Sequence, residues 1–248
     1  MDMLTQLHLA AQYLATAGIS FLDKKDDDSH TNLGFSIENK GLETWPLDAD
    51  GTKLCLDYAN FSLNWVAQDS LSLSLHGKSH EDVVKWIQKA SQALNSKKSY
   101  QYDLHYELPY SMSSKDIFQL SDKSEINSLV NLRSLAQKVL IAVLDKENLT
   151  SDVRIWPHHF DTGAFAPLKN GNTAVGFGLS IPDALVDDHY FYISGYQGHD
   201  SLDTSNFQTL TTGDWLNNGF KGAVLPANGV DKHTAVQFFS EAINSYRK

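Results

Sequence analysis

The chain has 248 residues, 42% hydrophobic and 20% charged, enough to bury a sizeable core in one large domain or two small ones. Its 30 acidic residues outnumber 20 basic ones for a net charge of −10, and the basic residues nowhere cluster, so nucleic acid is not an expected partner. A single cysteine, Cys55, excludes an internal disulfide and a paired-cysteine zinc site; in the alternating run from Lys53 to Tyr58 it reads as a buried thiol rather than a nucleophile.

Leu4, Leu7, Ala11 and Leu14 fall at helical spacing and predict a first helix over Met3 to Ala17. The segment Ala15-Thr16-Ala17 resembles a cleavage site, but no Lys or Arg precedes the apolar run, and Gln6, His8 and Gln12 interrupt it. We therefore expect a retained amphipathic helix, a cytoplasmic protein and no membrane partner, since no stretch approaches the ~18 apolar residues of a span. Strand-like runs follow at 32–39, 42–47, 52–58, 61–67 and 70–77. A second helix starts at Ser79, with Asp82 three residues on in a capping-box relation and Val83, Trp86, Ile87 and Ala90 as its stripe. Residues 99–121 read as a connector, in which 100–110 alternates aromatic and polar residues and should be extended.

The third helix begins at Asp122, with Glu125 as the matching box residue and Ile126, Leu129, Val130, Leu132 and Val139 apolar. Strand runs recur at 152–157, 173–180, 190–196 and 222–226, and Asp231 caps a fourth helix carrying Val236, Phe239 and Ile243. Asp50-Gly51, Asn170-Gly171, Asn218-Gly219 and Asn228-Gly229 supply turns, while 197–218 has no counterpart in the first half and reads as a surface loop. The order helix, antiparallel strands, helix is thus written twice. The halves align weakly: Pro46, Leu47 and Thr52 against Pro167, Leu168 and Thr173, Phe35 against Trp156, and Ala11-Gln12 against Ala136-Gln137. The expected fold class is α+β, a tandem pseudo-repeat with helices packed on one side of the sheets. The first repeat would span 1–98 and the second 122–248, together one pseudo-twofold unit.

Near-full-length features also resemble a bacterial protein family of unknown function. They are Leu7-His8 with Gln12, Glu107 with Pro109, Trp156 followed by Phe160-Asp161, Phe191-Tyr192, and Val224 to Pro226. The resemblance implies a shared fold and carries over no activity and no catalytic residues; in some members the positions of His158 and His159 are not histidine.

The densest polar stretch is Ser151 to Leu168. Read as an extended strand, it puts Trp156, His158 and Phe160 on the core side and His159 and Asp161 outward or into a cleft, with Pro157 marking an edge or a bulge that could swap the faces. His105 and Glu107 repeat the His-x-carboxylate spacing. Together His105, Glu107, His159 and Asp161 could hold a divalent metal for a hydrolase, or act without metal as acid and base. The alternative is structural, a carboxylate orienting a neighbouring imidazole. Arg154 could clamp a carboxylate or phosphate, or it could stack on an aromatic ring or pair with an acid. Gly176-x-Gly178 lacks the remainder of a dinucleotide fingerprint. Three functions stay open. The leading expectation is a small-molecule-binding protein with a pocket between the repeats, using Arg154, Trp156, His159, Asp161, Glu107, Tyr190 and Tyr192. The others are the metal-dependent hydrolase and a scaffold with no pocket.

Overall fold

A computed structural model describes residues 1–93, 98–113, 116–169 and 172–248; the Asn170-Gly171 turn lies outside them. The chain divides into two units, residues 1–132 with 155–158, and residues 133–154 with 159–248. The fold is α+β, with four α-helices beside two antiparallel sheets. Among the described residues no helix is long and apolar enough to cross a membrane.

In the first unit, α1 (Met3–Phe21) starts where the Asp2 carboxylate accepts the Thr5 N–H at 2.7 Å. Strands β1 (Gly34–Ser36), β2 (Gly41–Glu43), β3 (Lys53–Asp57), β4 (Ser62–Val66) and β5 (Leu71–Ser74) form a meander in chain order. The register sets Leu42 against Leu56, Leu56 against Leu63 and Leu54 against Trp65, placing all five side chains on one buried face. Each contributes about 1.5–3 kcal/mol through removal from water. Cys55 points to the opposite face and is half-buried; burial, then the nearby Glu43 charge, pushes its thiol up to about 11, so it stays protonated. Helix α2 (His80–Ala90) carries the expected capping box between Ser79 and Asp82.

Helix α1 departs from the amphipathic expectation, because every residue from Gln6 to Gly18 is buried. Its polar row is covered by the 98–113 segment, which has no ladder partner yet, from 101 to 113, alternates between exposed and half-buried side chains as an extended chain does. This strap runs antiparallel to α1 and docks largely through tyrosines. The Tyr100 hydroxyl meets that of Thr16 at 2.8 Å, Tyr102 packs on Tyr13, Tyr106 donates to Gln12 Oε1 at 2.7 Å, and Tyr110 reaches His8.

Helix α3 (Lys123–Glu147) begins with the Asp122 carboxylate accepting the Ser124 N–H at 2.7 Å. Glu125 does not close the expected box; its carboxylate accepts the Met3 N–H at 3.0 Å instead. Seven strands make the second sheet: β6 (Arg154–Trp156), β7 (Asp161–Pro167), β8 (Thr173–Ser180), β9 (Tyr190–Gln197), β10 (Asp200–Ser201), β11 (Asp214–Leu216) and β12 (Gly222–Pro226). Within the second unit the strands lie in the order β11, β12, β9, β8, β7, with β10 paired to β9. Two short strands thus occupy the 197–218 stretch expected to be loop. Asn228-Gly229 turns the chain from β12 into α4 (Lys232–Tyr246) rather than closing a hairpin. The rings of Phe177 and Phe191 lie 5.4 and 5.7 Å from that of Phe239 on α4 and form the core of this unit.

Local geometry recurs in the two halves. The Leu47 N–H donates to Thr52 O at 2.7 Å, and the Leu168 N–H to Thr173 O at the same distance. Each half also has a four-residue turn, at 37–40 and at 157–160, ending in a left-handed residue: Lys40 with φ 50° and Phe160 with φ 58°.

Candidate functional site

The 151–168 stretch is not one extended strand. Pro157 to Phe160 form a turn between β6 and β7, which cancels the face assignment expected from alternation. His158 and His159 are both exposed on the turn, Trp156 is half-buried rather than core, and Asp161 is buried at 6% exposure, away from the open surface. A bulky residue in left-handed backbone is strained, so Phe160 persists because its surroundings hold it.

Those surroundings are specific. In the first unit His8 Nε2 donates to Pro157 O at 2.7 Å, and the Gln12 amide donates to the same oxygen at 2.9 Å. A carbonyl can only accept, so in the neutral ring the proton sits on Nε2 and Nδ1 accepts the Tyr110 hydroxyl. Beside the turn, the rings of Tyr106 and Trp156 lie 5.5 and 6.4 Å from that of His158.

In the second unit Arg133, 1% exposed, donates to Phe160 O at 2.9 Å and to Thr162 Oγ1 at 2.8 Å. Its guanidinium lies 4.2 Å from the centre of the Phe160 ring. Both hydrogen-bond acceptors are neutral, and its buried Nε has no hydrogen-bond partner among the described residues. The positions of Leu132, Arg133, Ala136 and Gln137 on α3 repeat those of Leu7, His8, Ala11 and Gln12 on α1, so Arg133 stands where the first helix carries its turn-holding histidine.

Asp161 is placed by two glycines. Gly163, Gly178 and Tyr192 are in register across β7, β8 and β9; a Cβ at Gly178 would lie 2.3 Å from Thr162 O, so glycine there lets β7 and β8 approach closely, and Gly163 leaves room for the Tyr192 hydroxyl. That hydroxyl donates to Asp161 Oδ2. A Cβ at Gly163 would lie 3.1 Å from both of those oxygens. Burial raises the Asp161 carboxyl above the usual range, opposed by the Tyr192 bond and then by the charges of His159 and Arg133. Burial, and then the Asp161 charge, holds the Tyr192 phenol well above its ordinary value. His189 is in the same unit with its side chain 18% exposed and its Nε2 unpartnered among the described residues; burial, then the Arg133 charge, keeps it below the usual histidine range.

Asp161, His159 and Tyr192 of the expected residues therefore come together. Tyr190 donates to Asp183 at 2.7 Å instead. Arg154 lines a separate groove of about 430 Å³ with Gln137, Leu144 and Asp145. His105 faces Asp28 at 3.3 Å, and Glu107 is exposed on the strap. The metal shell expected from His105, Glu107, His159 and Asp161 is not assembled: among the described residues no three His, Cys, Asp or Glu side chains gather where an ion could bind them all. Sequence reasoning missed Arg133 and the two glycines. Their signals were the repeated Leu-x-x-x-Ala-Gln helix motif and a glycine on each of two neighbouring strands.

No protein-family model, curated protein or solved structure matches this chain.

Proposed function

We propose that the protein binds a small molecule bearing a hydrogen-bond donor, and that Asp161 and Tyr192 in the second unit are its principal recognition groups. The observation that carries this reading is the buried Asp161 carboxyl, whose hydrogen bond comes from a neutral phenol across a glycine floor. Burying a carboxyl costs folding free energy that the His159 and Arg133 charges only partly offset, and such poised acids concentrate at functional sites. An amine, amidine or polyol would supply the missing donors and favour the ionised form. The Arg133 network supports the reading by fixing Phe160 and Thr162 on either side of Asp161.

The recurrent turns and helix motif also support a tandem duplication, in which Arg133 stands where the first helix carries His8. A ligand-observed NMR screen of amines, amidines and polyols against wild type, Asp161→Asn and Tyr192→Phe tests the assignment. Hits that wild type binds should be lost in Asp161→Asn and weakened in Tyr192→Phe. Hits that bind all three proteins alike, or a set with no binder, would contradict it.

A further inference from the structure

The first unit holds a second constellation that does not depend on Asp161. Four rings follow one another there. His105 lies 5.0 Å from Tyr106, Tyr106 lies 5.5 Å from His158, and His158 lies 6.4 Å from Trp156. Their planes meet at 80°, 53° and 81°, so no pair is stacked face to face. Core aromatics would be sealed, whereas here His105 and His158 are exposed and Tyr106 and Trp156 half-buried. At one end a carboxylate closes the row, with Asp28 Oδ2 at 3.3 Å from His105 Nε2. The other carboxylate oxygen, Oδ1, is buried and has no hydrogen-bond partner among the described residues.

The scaffold beneath is fixed. Tyr106 is held through its hydroxyl to Gln12, and Gln12 and His8 together hold the carbonyl of Pro157, between Trp156 and His158. Asp28 itself is in left-handed backbone, φ 55°, in a turn where its carbonyl accepts the Thr31 N–H at 2.9 Å. The unit already contains one ammonium over an indole, Lys25 at 5.5 Å from the Trp45 ring centre.

We propose that Trp156, His158, Tyr106 and Asp28 form a binding site for an organic cation with a methylated ammonium head. Electron-rich ring faces set at steep angles attract a diffuse cation that carries no N–H donors, and an acidic group at the rim adds long-range attraction. A compact, strongly hydrated cation such as sodium gains much less from ring faces. The head group could come from a free choline-type molecule or from a trimethylated lysine on another protein; the chemistry at the rings is the same.

The test is a titration of full-length protein followed through the Trp156 indole N–H in nitrogen-edited NMR, assigned by its loss in Trp156→Leu. Choline chloride, a trimethyl-lysine peptide and its unmethylated counterpart are added separately, with sodium chloride as the ionic control. The expected result is a saturable shift at millimolar choline or trimethyl-lysine and none with sodium. His158→Ala, a change at an exposed position, should weaken binding about threefold or more, the scale of one ring contact. Asp28→Asn should weaken it by a similar factor. Choline alone shifting the resonance indicates a small-molecule site, and the methylated peptide binding tighter than choline indicates a protein partner. If neither probe gives a shift beyond the sodium control, or if folded His158→Ala and Asp28→Asn bind as wild type does, the proposal is overturned.

Discussion

Truncating Arg133 to alanine tests whether the second unit depends on the network that holds Phe160 and Thr162. The variant leaves the Phe160 carbonyl and Thr162 hydroxyl, both in residues at 0% exposure, without their donors at 2.9 and 2.8 Å. An interior polar group stranded in this way costs about 1–3 kcal/mol. Losing the guanidinium–ring contact at 4.2 Å removes about 2 kcal/mol more when the pair is shielded from water. Against these stands the relief of no longer burying a cation whose hydrogen bonds go to neutral acceptors, an offset of several kcal/mol. The net expectation is a loss of about 2–4 kcal/mol. Urea unfolding followed by circular dichroism reads it directly, and Arg133→Met, which keeps most of the volume, should lose less. Combining Arg133→Ala with Thr162→Val should cost less than the sum of the two changes, by about 1 kcal/mol. A loss under about 0.5 kcal/mol, typical of a surface position, would refute the reasoning.

Other outcomes follow from the same geometry. Gln12→Leu strands the Tyr106 hydroxyl and leaves Pro157 O with His8 as its one side-chain donor, so it should cost about 1–2 kcal/mol in urea unfolding; in Tyr106→Phe the same change should cost less. Gly195→Ala would place a Cβ 2.3 Å from the Tyr246 ring and should destabilise by about 1–3 kcal/mol in the same assay. Gly219→Ala meets no atom within 4 Å, and its cost of about 1 kcal/mol comes from φ 76° alone.

Much of the fold was legible because its signals are local. Ser79 and Asp82 close the expected box, Asp231 caps α4, and strands with alternating burial such as Lys53–Asp57 lie close to their predicted bounds. The site was less legible because it depends on non-local pairing. His8, Gln12 and Thr16 recur every four residues on α1 and read as a wet face until the tyrosine strap covers them. Glu125 looked like a box residue, but a distant N–H at Met3 takes its carboxylate. Alternation also failed at Pro157 to Phe160, where a turn resets the faces and sends Asp161 inward. The Asp161–Tyr192 pair needs the register of three strands, which places Gly163 beside Gly178; nothing in the spacing of one strand reveals it.

The most direct test of a carboxyl kept for a ligand, rather than for the fold, is the stability of Asp161→Asn relative to wild type between pH 3 and pH 7, roughly the interval that brackets ordinary carboxyl ionisation. Burial raises the folded-state ionisation above the unfolded value of 3.8, so the folded protein holds the extra proton in the interval between them. Wild-type stability from this group is therefore greatest below 3.8 and declines as pH rises through the folded-state value. The amide of the variant still accepts the Tyr192 hydroxyl and has no charge to bury. The account predicts that the variant is the more stable protein at pH 7 and that its advantage shrinks as the pH falls. A variant less stable than wild type at pH 7, or a difference that does not change with pH, would contradict it.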